Sequence, residues 1–207
     1  MSDAFTSVRS RAAILNISNL DTDRLVPARF LHHPRSLGYG QFLLHDLRFN
    51  GEGHERPDFV LNQPLHRDAR ILIAAENFGC GSSRESAVWA LFGYGFRVVI
   101  AASFGDIYFE NSCKNDLLNV ALTEPELNRL RQIVALHPGE ELTVDLEAQT
   151  IAAPDASLTR FEFDADKKKS LLLGLDDIGQ TLGLIGDIQA FEMRHRQESP
   201  WLSLHSP

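Results

Sequence analysis

Cysteine is scarce in this chain. Two thiols, Cys80 and Cys113, among 207 residues exclude a disulfide framework. They are also too few to ligate an iron–sulfur cluster or a structural zinc unaided. The eight histidines do not make up the shortfall, because none stands in H-x-x-x-H or H-E-x-x-H spacing. His32 and His33 are neighbours and point in different directions on any regular element. No metal site is expected within the chain. Long apolar runs are missing as well: none approaches the ~18–20 residues that a membrane-spanning helix needs. Residues 1–11 lack the basic-then-apolar pattern of a signal peptide, so a reducing cytoplasm is the expected setting. Basic blocks are absent apart from Lys167-Lys168-Lys169, which reads as a solvated helix face. With a net charge of −8, nucleic acid and anionic membranes are disfavoured as partners. An anionic ligand would have to find its positive charge locally.

What is present is an α/β pattern with enough apolar content, 43%, for one sizeable core. Residues 13–17 read as a strand, followed by a polar turn at 19–23. From Leu25 to about residue 64, Pro34, Gly38, Gly40, Gly51, Gly53 and Pro57 argue for long loops. A loop region that long is usually functional or covers a partner, and residues 30–55 are expected to be mobile. Residues 69–75 form a nearly continuous apolar strand of the parallel-sheet type. Helical spacing follows over 83–92, with Gly93 as its stop, and then a strand over 96–101. Strand, glycine loop, helix, strand is a βαβ unit. A short helix at 105–111 and a strand at 118–122 come next. Thr123 and Glu126 form a capping box for a helix that carries Leu127, Leu130 and Val134 on one face. Residues 141–146 and 159–163 read as antiparallel strands, and 165–173 and 185–196 as helices, the former ended by Gly174. The expected organisation is a single domain over 1–196, a mixed sheet with helices on at least one face, and a polar tail over 197–207.

The densest chemistry lies in Asn77-Phe78-Gly79-Cys80-Gly81-Ser82-Ser83-Arg84-Glu85-Ser86. A P-loop would need Gly-Lys-Ser/Thr where Arg84-Glu85 stands. A dinucleotide fingerprint starts at Gly79 and Gly81 but meets Arg84 where its third glycine belongs. A nucleophile elbow fails at Glu85. An anion site at a helix N-terminus remains: two glycines admit the ligand to the backbone, and Arg84 can pair bidentately with a carboxylate. A structural alternative stays open, with Ser82 as a plain N-cap and Glu85 reaching back in a capping box.

This loop resembles the signature of the aconitase superfamily's mobile domain, and within it the small subunits of 3-isopropylmalate dehydratase. Asn19-Leu20-Asp21-Thr22-Asp23, Pro57-Asp58-Phe59-Val60-Leu61-Asn62 and Tyr94-Gly95-Phe96-Arg97-Val98-Val99-Ile100-Ala101 are similar to family segments. So are Ser103-Phe104, Asn115-Asp116-Leu117-Leu118 and Gly174-Leu175-Asp176-Asp177-Ile178-Gly179. The resemblance implies a three-layer β/β/α swivelling domain. It also implies a hydro-lyase that interconverts 2- and 3-isopropylmalate through 2-isopropylmaleate in leucine biosynthesis. By this likeness Ser82 is the base that removes a carbon-bound proton, as an alkoxide stabilised by Arg84 and by loop N–H groups around Gly81. Ser83 and Arg84 hold a substrate carboxylate. A [4Fe–4S] cluster acting as Lewis acid is implied in a partner, the large subunit, since this chain lacks the cysteines. Arg35 falls in the family's substrate-recognition loop, where it contacts substrate or is simply solvated. Asp21, Thr22 and Asp23 orient the site or merely cap backbone. Ser86 stands where the family usually has His, which leaves open a hydratase of citraconate or methylmalate type. A non-catalytic carboxylate-binding module is the remaining alternative.

Overall fold

The computed structural model describes residues 4–82, 84–175 and 177–202. Ser83, Asp176 and the last five residues of the expected tail lie outside them. Two four-stranded sheets form the centre. One is wholly parallel, with β2 (Ala12–Leu15), β3 (Ile71–Ala74), β4 (Val98–Ala101) and β5 (Leu118–Ala121) side by side in that order. The other is antiparallel and runs β1 (Ser7–Ser10), β6 (Leu142–Asp145), β7 (Thr150–Ala152), β8 (Leu158–Arg160).

The alternation of side chains along a strand explains why these sheets stack. Every residue of β3 and β4 is buried, so the parallel sheet must be covered on both faces. Ile71, Ile73, Val98 and Ile100 turn toward the antiparallel sheet, where they meet Val8, Leu142, Val144 and Ile151. Helix α5 (Glu124–Leu136) joins this core through Leu127, Leu130 and Val134, and the expected Thr123/Glu126 capping box is formed at its start. Leu72, Ala74, Val99 and Ala101 face the opposite way. They pack under α3 (Glu85–Tyr94), under Tyr108 of α4 (Asp106–Lys114) and under the long segment after β2. Antiparallel sheet, parallel sheet and helices are therefore three successive layers.

Several elements depart from the sequence reading. β1 and β7 have no counterpart in it, and the strand expected over 159–163 is β8, Leu158–Arg160, paired with β7 around the turn at Ala153–Ala156. Helix α3 starts at Glu85 and runs through Gly93 to Tyr94, with Gly95 as its cap. Gly93 does not stop the helix; it admits a neighbour. A Cβ on Gly40 would lie 2.4 Å from the Gly93 carbonyl carbon, so the turn Tyr39–Phe42 presses backbone to backbone against the helix.

The segment between β2 and β3 has little regular structure but is well anchored. It contains α1 (Thr22–Leu25), three short 3-10 turns at Ala28–Phe30, Arg35–Leu37 and Tyr39–Phe42, then α2 (His45–Arg48) and a last turn at Val60–Asn62. Tyr39, Leu43, Leu44 and Leu61 are buried. Arg48 is buried too; its Nε donates to Asn62 Oδ1 (3.2 Å), Nη1 donates to the Leu43 carbonyl (3.3 Å), and its guanidinium lies over Tyr94. Asn62 Nδ2 returns a bond to the Arg48 carbonyl at 2.7 Å. Desolvation lowers the Arg48 pKa, and the neutral acceptors around it meet its donors without a full counter-charge.

At the other end of the chain, α6 (Ala165–Leu173) closes the body with Leu171 buried and Gly174 as a left-handed cap. Helices α7 (Asp177–Leu182) and α8 (Ile185–Glu198) and a turn at Pro200–Leu202 follow. Among the described residues no helix is long and apolar enough to cross a membrane.

The anchoring divides the 30–55 segment into two kinetic classes. The exposed turns at 31–38 should exchange their amide protons within seconds, while those of Leu44 and Arg48, bonded to Leu25 O and Leu44 O at 2.8 Å, should be protected by orders of magnitude more. Hydrogen exchange with mass spectrometry on the free chain measures this. Uniformly fast exchange from 30 to 55 would contradict it.

Candidate carboxylate-binding site

The site stands at the carboxyl ends of the parallel strands, where ligands of open α/β sheets collect. Beyond β2, β3 and β4 the three chains continue to pair for a few residues. Gly79 N donates to Leu20 O (2.8 Å) and Thr22 N to Cys80 O (3.2 Å), tying the loop to the end of β2. Thr22 Oγ1, itself buried, donates to the Ser82 carbonyl at 2.9 Å. On the other flank Phe78 N donates to Ser103 O (3.0 Å), Gly105 N to Phe78 O (2.9 Å) and Asn77 N to Ser103 Oγ (2.9 Å). Asn19 and Asn77, both in the left-handed conformation, join their side chains at 2.7 Å where the loop leaves the sheet. Left-handed backbone is tolerable for asparagine, which accounts for its presence twice.

Gly79 is held from below by an aromatic ring. Its φ is +72°, and a Cβ there would stand 2.3 Å from Tyr108 Cγ. Tyr108 is completely buried, edge-on to Phe78 and stacked with Phe104, with its hydroxyl 3.5 Å from Asn119 Oδ1. Burial pushes its phenol far above the ordinary tyrosine range, so it is a neutral support.

The six bonds along the two flanks decide between the competing readings of Ser82. A capping box would contribute ~1 kcal/mol, whereas each flank bond contributes ~0.5–1.5 kcal/mol. The flanks win: α3 is capped by Arg84 without any side-chain bond, and Ser82 stays exposed two residues before the helix. Glu85 does not reach back. Its carboxylate accepts from Asn115 Nδ2 at 2.8 Å, and Asn115 Oδ1 accepts from Arg35 Nη2 at 3.3 Å. Arg35 is otherwise exposed and lies over the Trp89 ring.

The expected residues therefore fall into two groups. Gly81, Ser82 and Arg84 share one surface with Asp21, Thr22 and Asp23. Arg35 belongs to the flank of α3, joined to it through Asn115 and Glu85. Ser83 lies outside the described residues. Asp21 caps α1 by accepting from Arg24 N at 2.7 Å and runs alongside Cys80. Asp23 Oδ1 is 2.6 Å from Arg84 Nη1. That nitrogen is enclosed yet has no acceptor aligned with its N–H bonds, so the pair is held by charge rather than by a directional bond. Ser86 is buried with an unpartnered hydroxyl on the core side of α3. Ser103 and Tyr108, which brace the loop, and Asn115, which ties Arg35 to α3, had no role assigned from the sequence, where Ser103 and Asn115 stood only within family-like segments. Nothing in local periodicity marks them, because their roles depend on chain crossings.

Among the described residues no three His, Cys, Asp or Glu side chains come together as a metal site. Cys113 is half-buried on α4, and burial pushes its thiol up to about 12, so it is protonated at neutral pH.

Stacked sheets with an arginine–serine loop at the strand ends define an aconitase-type domain: the model of the aconitase C-terminal domain matches residues 2–125. A LeuD_N model matches 128–165, and the model of the C-terminal domain of 3-isopropylmalate dehydratase small subunits matches 177–203. The curated 3-isopropylmalate dehydratase small subunit of Dinoroseobacter shibae is 46% identical over 97% of this chain and 100% of its own. That of Rhodospirillum centenum is 50% identical over 96% and 98%. The chain belongs to the family of 3-isopropylmalate dehydratase small subunits. The crystal structure of 3-isopropylmalate dehydratase (leuD) from Methanocaldococcus jannaschii superposes with a TM-score of 0.63 at 22% identity. It covers 88% of this chain and 99% of that one, and it supports the fold.

Two glycine substitutions separate support from exposure. Gly79→Ala meets both left-handed strain and the Tyr108 ring, and should cost ~2–4 kcal/mol of stability in urea unfolding. Gly81→Ala has φ +83° but no neighbour nearer than Asp21 Cβ at 3.5 Å, and should cost ~1–2 kcal/mol with the fold intact. Equal costs would mean that Tyr108 does not support the loop.

Proposed function

We propose that this chain works in the cytoplasm as the small subunit of a hydro-lyase that interconverts 2- and 3-isopropylmalate through 2-isopropylmaleate, in leucine biosynthesis. The observation that carries the assignment of residues is the exposed Ser82 two residues from Arg84, whose guanidinium pairs with Asp23 through the enclosed Nη1 while its side chain stays about a third exposed. The donors not turned to Asp23 are the ones assigned to a substrate carboxylate. With five N–H donors a guanidinium can serve Asp23 and a carboxylate together. The amide of Ser83 and its hydroxyl are assigned to the same carboxylate, and the open backbone at Gly81 lets the ligand approach.

Ser82 is assigned as the base. An unperturbed serine hydroxyl is a very weak acid, so it takes a carbon-bound proton only as an alkoxide beside positive charge and N–H dipoles. Arg84 and the start of α3 provide that environment. Thr22 fixes the Ser82 backbone through its carbonyl, and Asp23 fixes the guanidinium. Arg35, reaching α3 through Asn115, is assigned to the border of the substrate pocket. A [4Fe–4S] cluster on the large subunit would supply the Lewis acid for the leaving hydroxyl, since the donors of this chain do not suit one.

The test is hydration of 2-isopropylmaleate by the chain mixed with its large subunit. Ser82→Ala should lower kcat by ~10²–10⁴ with the complex still formed on size exclusion. Arg84→Lys should raise KM and lower kcat together, because it serves both carboxylate and base. A normal rate for Ser82→Ala would remove the assigned base. Turnover of citraconate alone would move the substrate to a methyl-substituted acid.

A further inference from the structure

Among the described residues, the C-terminal arm presents apolar surface that the rest of the fold leaves largely uncovered. Beyond Gly174, no described residue whose exposure is defined is buried, and neither core includes a side chain after Leu172. Seven of the thirteen large exposed apolar side chains among the described residues lie between Ile178 and Trp201. Part of this surface is ordered: Leu184, Phe191 and His195 are exposed and share one side of α8 and its N-cap with the half-buried Ile188, Phe191 and His195 stacking at 5.5 Å, while Ile185 and Met193 are exposed on other sides. Ile178 and Leu182 repeat one turn apart on α7, and Trp201 is 77% exposed at the far end. A helix of fourteen residues is marginal in water and draws its stability from a packed apolar face. This face lacks its packing partner.

We propose that the arm of α7, α8 and the turn at Pro200–Leu202 is the clamp by which the chain holds its large subunit. The inference rests on the reading of the chain as one half of a heteromeric enzyme. The aconitase domain model, which matches residues 2–125, is described as the C-terminal domain of its proteins, where a covalent link keeps the domain near the rest of the chain. Such a tether is worth an effective concentration in the millimolar range. A separate subunit has no tether and must replace it with surface. The arm lies outside the aconitase match and inside the match to the C-terminal domain of the small subunits, 177–203. The curated small subunits cover 96–97% of this chain, so their matches extend over most of the arm. The charge of α8 argues against a lipid occupant. Asp187, Glu192 and Glu198 outnumber Arg194 and Arg196, while helices that bind anionic membranes are rich in Lys and Arg.

The test uses the full chain with Ile188→Glu and Phe191→Glu together. Neither residue belongs to a core, so the urea midpoint of the free variant should equal that of the wild type. Affinity for the large subunit should fall ~100-fold or more by titration calorimetry, and Trp201→Ala should weaken it ~10-fold. In the wild type, amides of 177–202 should become protected from hydrogen exchange when the large subunit is added. Unchanged affinity in the double variant, or an arm that stays unprotected in the complex, overturns the clamp. So does a wild-type homodimer that the double variant dissociates without loss of affinity for the large subunit, since the arm would then serve a second copy. A wild-type chain that binds no large subunit fails before any variant is made, and the subunit reading falls with it.

Discussion

The pairing of three chain segments beyond the ends of the parallel strands is the constraint on which the site depends. Leu20–Thr22, Phe78–Ser82 and Ser103–Gly105 continue the order of β2, β3 and β4 after the sheet proper has ended. A glycine-rich loop is costly to order, because glycine loses more backbone freedom than any other residue. Here the cost is met by bonds on both flanks and by the Tyr108 ring beneath Gly79. Ser82 is consequently exposed on a fixed backbone. That combination suits a general base, which must be accessible to substrate and also held within a fraction of an ångström.

Electrostatics in this protein is local. A chain of net charge −8 presents an anionic substrate with an unfavourable field at long range, so attraction must come from groups within a few ångströms. Asp23 beside Arg84 complicates this, because it offsets part of the positive charge. Its value is positional: the ion pair keeps the guanidinium beside the loop, and a guanidinium's planar fork matches a carboxylate better than a point charge does. Asp21, two residues before it, is committed to capping α1 and does not compete for the arginine.

The elements legible in the sequence were those fixed by local pattern. The run at 69–75 showed its burial on both faces by being apolar at every position but Arg70, and Thr123 with Glu126 announced α5 without ambiguity. The loop's chemistry was legible as well, because glycines, serines and an arginine so close together have few other uses. Misreadings arose where distant contacts overrode local preference. Gly93 has the look of a helix stop, yet it exists for Gly40, fifty-three residues away in sequence. Ser82 and Glu85 spell a capping box, but the helix takes Arg84 as its N-cap and the carboxylate of Glu85 turns to Asn115. β1 is short, with Val8 its one apolar residue, and only its pairing with β6 makes it a strand.

These contacts also explain how one chain can be both rigid and incomplete. Two cores share the parallel sheet, and the bonds on both flanks hold residues 77–82 to it. Among the described residues, Ser82 is exposed and the C-terminal helices carry exposed apolar side chains. A rigid half-site gains from a partner held by a separate element, because the partner can then shift over the loop during turnover without dissociating. A fold that buried α7 and α8 against its own body would leave no separate apolar element for a partner to hold.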